Sequence, residues 1–384
     1  MKCKVWIISF VSIILVLLTV IAGLTIYMDP YLHYHKPLTD RYDYVLDNQR
    51  SMNNGIIRFF DYDAVITGSS MTENFSTSEL DALFGTNSIK ISCPGATYKE
   101  LSDNISLCLR QKPDLKMVLL CLDLNMLSTA SDAMRTDMGS FPTYLYDDNI
   151  FNDVEYLFNR DVLVKYIYRM TEKRLAGVPA GITSFDDYSY WDYDAVYGLG
   201  VVNPGDSFSL SLAGPVTQLS EQERSTTLEN IQVNISSLAR QNPHVEFYCY
   251  FSPYSVAWWQ THVADGTVYK YLDALQIATE ELLSCENISL FSFFQLSDIV
   301  DDLNNYKDTI HYGSWVNSLI LNLMSENRCR LTSENYTSHL DYLKNHYLNY
   351  DYVSLLAQED YSDDALAARI AEEKYGFVSS YPRS

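Results

Sequence analysis

Positive charge is what this chain has least of: its 384 residues carry 27 lysines and arginines against 49 aspartates and glutamates, a net charge of −22. Phosphate backbones are gripped by Lys and Arg, so nucleic acid is excluded as a partner, as is a direct hold on a polyanion. A neutral or locally shielded substrate fits better, and most of the acidic surface serves solubility. Cysteine is present but unpatterned. The seven include no Cys-x-x-Cys; Cys93, Cys121 and Cys249 sit inside apolar strand-like runs, and Cys3 precedes the first apolar segment. They read as small buried apolar residues of an exported protein that does not rely on disulfides, with a bridge through Cys285 or Cys329 left open. Metal-ligand spacing is also missing. His33 and His35 form a His-x-His with no third ligand nearby, and Asp147 with Asp148, or Asp186 with Asp187, lack calcium-loop spacing.

One long stretch lacks charge altogether. Val5 to Met28 holds no charged residue over 24 positions, and Lys2 and Lys4 precede it. At about 1.5 Å per residue that length spans a bilayer, with the lysines staying inside. A cleaved signal peptide would have a shorter apolar region and a small-x-small site before Asp29, so an uncleaved anchor is expected, with the rest of the chain outside the cell membrane. Without the two lysines the remainder has 25 basic against 49 acidic residues, a formal charge of −24. Asn-x-Ser/Thr triplets begin at Asn74, Asn104, Asn234, Asn287 and Asn335. A glycan on Asn74 would crowd the serine discussed next, which argues for bacterial export.

What is present begins with Gly68, Ser69, Ser70, Met71, Thr72 and Glu73, directly after the apolar run Ala64, Val65, Ile66. A hydroxyl at a strand's carboxyl end lies where open α/β sheets gather their ligands, making Ser70 a candidate nucleophile. Serine needs a base. Of seven histidines only His311 follows an expected last strand, Ile288 to Phe294, and carries an aspartate three residues earlier, Asp308. Three residues of turn let that carboxylate hold one ring nitrogen while the other faces the serine. The plainer alternative is a Gly-Ser-Ser turn plus Asp308 as N-cap of a helix over Gly313 to Leu323.

A Gly-x-Ser turn after the first strand together with a late Asp-x-x-His resembles the SGNH (GDSL-type) hydrolase superfamily. The membrane anchor and the Gly-Ser-Ser form are similar to its cell-envelope members related to the teichoic-acid D-alanylation protein and alginate O-acetyltransferases. The similarity covers roughly 60 to 325, with boundaries good to about two to four residues. It implies Ser70 as nucleophile, His311 and Asp308 as its relay, and an oxyanion hole from the amides of Ser70 and Gly95, the latter within Ile91, Ser92, Cys93, Pro94, Gly95. The family's third block, Gly-x-Asn-Asp, is replaced by Leu122, Asp123, Leu124, Asn125; Asn125 is the candidate third donor, or else a polar residue closing a turn. The resemblance implies an esterase or acyltransferase acting on an ester-linked acyl group of an envelope glycan or acylated polymer, needing no metal or organic cofactor and working with a membrane acyl-transfer partner. The rival is a non-catalytic envelope protein that keeps the fold and holds glycan or a partner. A phosphoryl-transfer or metal-dependent hydrolase would need clustered His and Asp ligands.

The expected architecture is α/β: one transmembrane helix (1–28), a juxtamembrane aromatic segment (29–60), a flavodoxin-like SGNH domain (61–328) and a helical extension (329–384). Strands read as Ala64 to Thr67, Ser88 to Ser92, Met117 to Leu122, Val245 to Phe251 and Ile288 to Phe294, a parallel sheet covered on both faces by helices. Capping boxes at Ser76/Glu79, Thr97/Glu100 and Ser220/Glu223 mark helix starts. An excursion over roughly 128–219 exceeds an ordinary connection and is expected to cover the site; Tyr144, Tyr146, Tyr188, Tyr190, Trp191, Tyr193 and Tyr197 either stack on sugars or pack the insertion. The resemblance implies that the loop after the fourth strand borders the substrate cleft, with Tyr254 and Trp258 as its wall; the alternative is a Pro-stabilised turn with Trp258 and Trp259 on a helix face. In the extension, Leu340, Leu343 and Tyr347 form one apolar face and Leu366 with Ile370 another.

Overall fold

The computed structural model describes residues 2–137, 139–203 and 216–355; the Leu366 and Ile370 face lies outside them. The chain divides into two units, Met1–Phe60 with Gly139–Ser184, and Asp61–Met138 with Phe185–Ser384. The long excursion is therefore split: its middle, Gly139–Ser184, joins the juxtamembrane residues, and both its ends belong to the unit that holds the sheet.

Continuous apolar runs bury both faces of a strand, and four of the five strands of the main sheet are buried along their whole length. These are β1 (Ala64–Thr67), β2 (Ser88–Lys90), β3 (Met117–Leu122), β4 (Glu246–Phe251) and β5 (Ile288–Ser292). All pairings are parallel, in the order 2-1-3-4-5, with Val65 beside Ile89 and Val118, and Phe247 beside Val118 and Ile288. The order reverses at β1, so right-handed crossovers put helices on opposite faces and open a crevice at the carboxyl ends of β1 and β3. Thr77–Phe84 packs with Ser314–Ser325, while Glu221–Ile231 packs with Val268–Leu283.

The helix starts at Thr97 and Ser220 carry complete reciprocal capping boxes. The one at Ser76 is half-made. Ser76 accepts from the Glu79 amide, but the Glu79 carboxylate turns inward to accept from Ser318 (2.7 Å) and Asn322 (3.3 Å). Asp186 takes over, accepting from the hydroxyls of Ser76 (3.0 Å), Thr77 (2.8 Å) and Ser78 (2.5 Å) and from the Ser78 amide (3.1 Å). Burial would raise this carboxyl, yet those four donors hold it below the ordinary carboxylate value. Asp186 is thus a buried anchor. All seven cysteines are free, and a bridge through Cys285 or Cys329 is not formed. Asn74, Asn104, Asn234 and Asn287 are buried, which leaves a glycan no room at four of the five triplets.

In the other unit an apolar helix runs from Lys2 to Met28, long and apolar enough to cross a membrane. Asp29 ends it in a left-handed conformation, its carboxylate accepting from the amides of His33, Tyr34 and His35 and from the Tyr156 hydroxyl. Tyr31 stacks on Tyr156, with ring centres 5.3 Å apart, and His33 meets Asp153 at 3.2 Å. Both are buried, so this part of the juxtamembrane aromatic segment forms a small core with residues 139–184. Asp43–Tyr44 pairs with Gly181–Ile182 to close it.

Candidate active site

Gly68 ends β1 where a side chain has no space: a Cβ would lie 2.6 Å from Thr72 Cγ2 and 2.7 Å from Cys121 Cβ. The chain then coils into a single 3₁₀ turn, Ser70–Thr72, capped by the Ser69 side chain. Thr72 bonds the Ser69 carbonyl (2.9 Å) and Ser92 (2.7 Å), and Asn317 donates to the Met71 carbonyl (3.1 Å). This turn directs Ser70 Oγ to His311 Nε2, 2.7 Å away.

His311 is held by its own loop. Asp308 Oδ1 accepts from the amides of Ile310 (2.9 Å) and His311 (2.8 Å), while Oδ2 lies 2.7 Å from His311 Nδ1. The carboxylate thus selects the tautomer with the proton on Nδ1 and leaves Nε2 to accept from the serine. Burial would raise the Asp308 carboxyl, but the imidazole and the two amides outweigh it and hold the group below its ordinary value. The helix after this loop starts at Ser314 with Gly313 as its cap, so Asp308 is not the helix cap that the plainer reading required. The segment after β4 supports the loop: Ser255 bonds the Thr309 carbonyl through amide (3.1 Å) and hydroxyl (2.7 Å), and Tyr306 donates to the Pro253 carbonyl (2.7 Å).

Other expected residues fare unequally. Gly95 adopts a left-handed φ of 59° and is overlain by the Arg135 guanidinium, which donates to the Pro94 carbonyl at 2.8 Å. Asn125 sits exposed on a 3₁₀ turn, Leu124–Met126, after β3. Tyr254 and Trp258 are buried, and the expectation of a cleft wall is corrected. Trp258 packs among Tyr254, Trp259, His262 and Tyr271, and Tyr254 gives its hydroxyl to Asp123. Of the excursion's aromatics near the sheet, Tyr188 and Tyr197 are core, while Tyr193 is exposed.

Three contributors escaped the sequence reading in this role. Trp191 donates Nε1–H to the Ser70 carbonyl (3.3 Å), and its ring stands edge-on to His311. Lys307 lays its ammonium 3.3 Å from the centre of the Trp191 ring. Burial lowers the Lys307 pKa against the pull of Asp308, Glu73 and Asp192. Asp123 is buried at the end of β3; burial raises its carboxyl, opposed by hydrogen bonds from Ser69 and Tyr254 and by the charge of His311. An aspartate closing an all-apolar strand was the available signal for Asp123. Nothing local marked Trp191 or Lys307.

No family model matches this chain, and no curated protein is significantly similar to it.

Proposed function

We propose that this chain is a membrane-anchored, extracytoplasmic serine esterase or O-acyltransferase with an SGNH-like, flavodoxin-like fold, acting on an ester-linked acyl group of a cell-envelope glycan. The observation that carries the proposal is the unbroken relay of Ser70 Oγ, His311 and Asp308, with both contacts at 2.7 Å. Two more features support it: the strand order 2-1-3-4-5, with the serine at its reversal point, and an apolar N-terminal helix of membrane-spanning length.

In this reading Ser70 Oγ attacks the ester carbonyl as His311 Nε2 takes its proton. The tetrahedral oxyanion is held by the amides of Ser70 and Gly95, with Asn125 as a third donor. His311 returns the proton to the leaving alkoxide, freeing the first glycan and leaving an acyl group on Ser70. Water or a second hydroxyl then attacks that acyl-enzyme, with His311 again as base. Asp308 keeps the ring oriented and stabilises the imidazolium.

A fluorophosphonate tests the chemistry on the detergent-solubilised full chain, since Ser70 Oγ would displace fluoride and leave a stable phosphonyl adduct. Mass spectrometry of the wild type should find the adduct on Ser70, Ser70→Ala should remain unmodified, and His311→Ala should label about 10³-fold more slowly or less. A folded wild-type protein that never labels overturns the proposal in favour of the non-catalytic binding protein.

A further inference from the structure

The residues joined to the outer end of the apolar helix expose more hydrocarbon than a water-facing surface needs. Ile150 (71%), Phe151 (84%), Val154 (54%) and Phe158 (38%) are exposed within nine residues, and Val164 and Tyr168 follow on the next helical stretch. Large apolar groups exposed this close together in the sequence point to a contact surface. Their attachment says what covers them. Thr25, buried in the last turn of the Lys2–Met28 helix, shares its hydroxyl proton between the Leu157 carbonyl and the Ile21 carbonyl of its own helix, each at 3.1 Å. The short helix Val154–Leu157 and the turn Val162–Ile167 both pack on that terminal helix. Thr171 lies 4.0 Å from the Met28 sulfur, a further tie to the same turn.

Depth can be counted along the helix. A hydrocarbon core of about 30 Å takes roughly 20 residues at about 1.5 Å each, which from Val5 ends near Leu24. The Thr25 bond therefore falls one residue beyond the lipid tails, and Phe158 and Val154 flank the residue it holds. Charge agrees with that level. Residues 150–168 are near balance, with Arg160 and Lys165 against Asp153, Glu155 and Asp161, and a basic stretch follows directly, with Arg169, Lys173 and Arg174 against Glu172, in a protein whose net charge is −22. Apolar side chains beside a basic stretch are what a segment lying in a headgroup layer requires.

We infer that residues 150–168 form a collar around the outer end of the membrane helix, with Phe151, Val154 and Phe158 seated in the outer leaflet of a bilayer. The collar rests on the membrane-anchor part of the proposed function and is independent of the serine chemistry. It would hold the helix at a set depth and fix the orientation of the unit that carries it.

The photo-reactive residue p-benzoylphenylalanine, introduced singly at Phe151, Phe158 or Val16 of the full chain, tests this in nanodiscs of mixed phosphatidylcholine and phosphatidylglycerol. Lipid adducts are counted by mass spectrometry after irradiation. Positions 151 and 158 should each give at least about a third of the adduct yield at position 16, as for side chains inserted at the acyl boundary. Yields about tenfold below position 16, or adducts only to a second protein in native membranes, overturn the collar while leaving the anchor standing. Absence of lipid adduct at position 16 as well would remove the anchor and the collar together. Fluorophosphonate labelling of Ser70 on the same samples reports the enzymatic reading separately.

Discussion

Trp191 meets His311 edge to face, with ring centres 5.7 Å apart and planes at 87°, while its own face carries the Lys307 ammonium. One indole thus buttresses the imidazole, bonds the Ser70 carbonyl and receives a cation. Such contacts contribute about 0.5–2 kcal/mol each. Trp191→Ala should therefore slow fluorophosphonate labelling of Ser70 by about tenfold, corresponding to ~1.4 kcal/mol. Trp191→Phe, which keeps a ring but loses Nε1–H, should fall between. A rate unchanged in both variants would reduce Trp191 to packing.

Asp308 makes three contacts with the loop it belongs to, two to amides and one to the imidazole. Asp308→Asn keeps an oxygen for the amides but brings an NH₂ group that competes for the wrong ring tautomer. Labelling should drop by about 10³–10⁴-fold, as expected when a relay carboxylate is lost. The melting temperature should change far less, because the side chain is about half exposed (46%) and the loop amides keep an acceptor. Comparing labelling rate with thermal unfolding separates loss of tautomer control from loss of the loop.

The strands were legible because burial on both faces writes itself as an unbroken apolar run. Expected and observed bounds coincide for Ala64–Thr67 and Met117–Leu122. The strands read as Ser88 to Ser92 and Ile288 to Phe294 end earlier, at Lys90 and Ser292. Ile91, Phe293 and Phe294 stay buried after leaving the ladder, and apolarity alone cannot tell a buried loop from a strand. Ser70 could be picked out because it lies just past the end of β1 at Thr67, whereas Asp308 and His311, well beyond the end of β5 at Ser292, were marked by their own Asp-x-x-His spacing. Trp191 and Asp186 act from an excursion whose path no local pattern specifies. Tyr254 and Trp258 follow the carboxyl end of β4, where a cleft wall is expected by position, but position along the chain does not say whether a side chain faces the cleft or the core, and both are buried.

Gly95 and Arg135 should be energetically coupled. A Cβ on Gly95 would lie 1.7 Å from Arg135 Nη1, and the φ of 59° disfavours any L side chain. Gly95→Ala should cost about 1–2 kcal/mol for the left-handed backbone and about 1–3 kcal/mol for the clash. Arg135→Ala removes the second cost but not the first. In urea unfolding, Gly95→Ala should therefore be less damaging in the Arg135→Ala background by roughly 1–3 kcal/mol. Strict additivity would show that the guanidinium simply swings aside.

Asp186 gives the clearest pH prediction, because its carboxylate is buried, receives four donors and is held below its ordinary pKa in the folded protein. A depressed folded pKa means the unfolded chain takes up the proton first as pH falls. The stabilisation is therefore complete above the unfolded pKa and is lost as pH drops through the folded one. Asp186→Asn can accept through one oxygen only and brings two donors into a site that already has donors, so it should be less stable than wild type at pH 7. Loss of charge-assisted bonds of this kind costs about 1.5–3 kcal/mol. The gap should hold from pH 7 down to about 5 and then narrow steadily below about 4, as wild-type Asp186 is itself neutralised. Urea unfolding of both proteins from pH 7 to pH 3 measures the gap directly. A difference that stays constant across that range would mean that shape, and not the charge of the carboxylate, secures the Ser76–Ser78 turn.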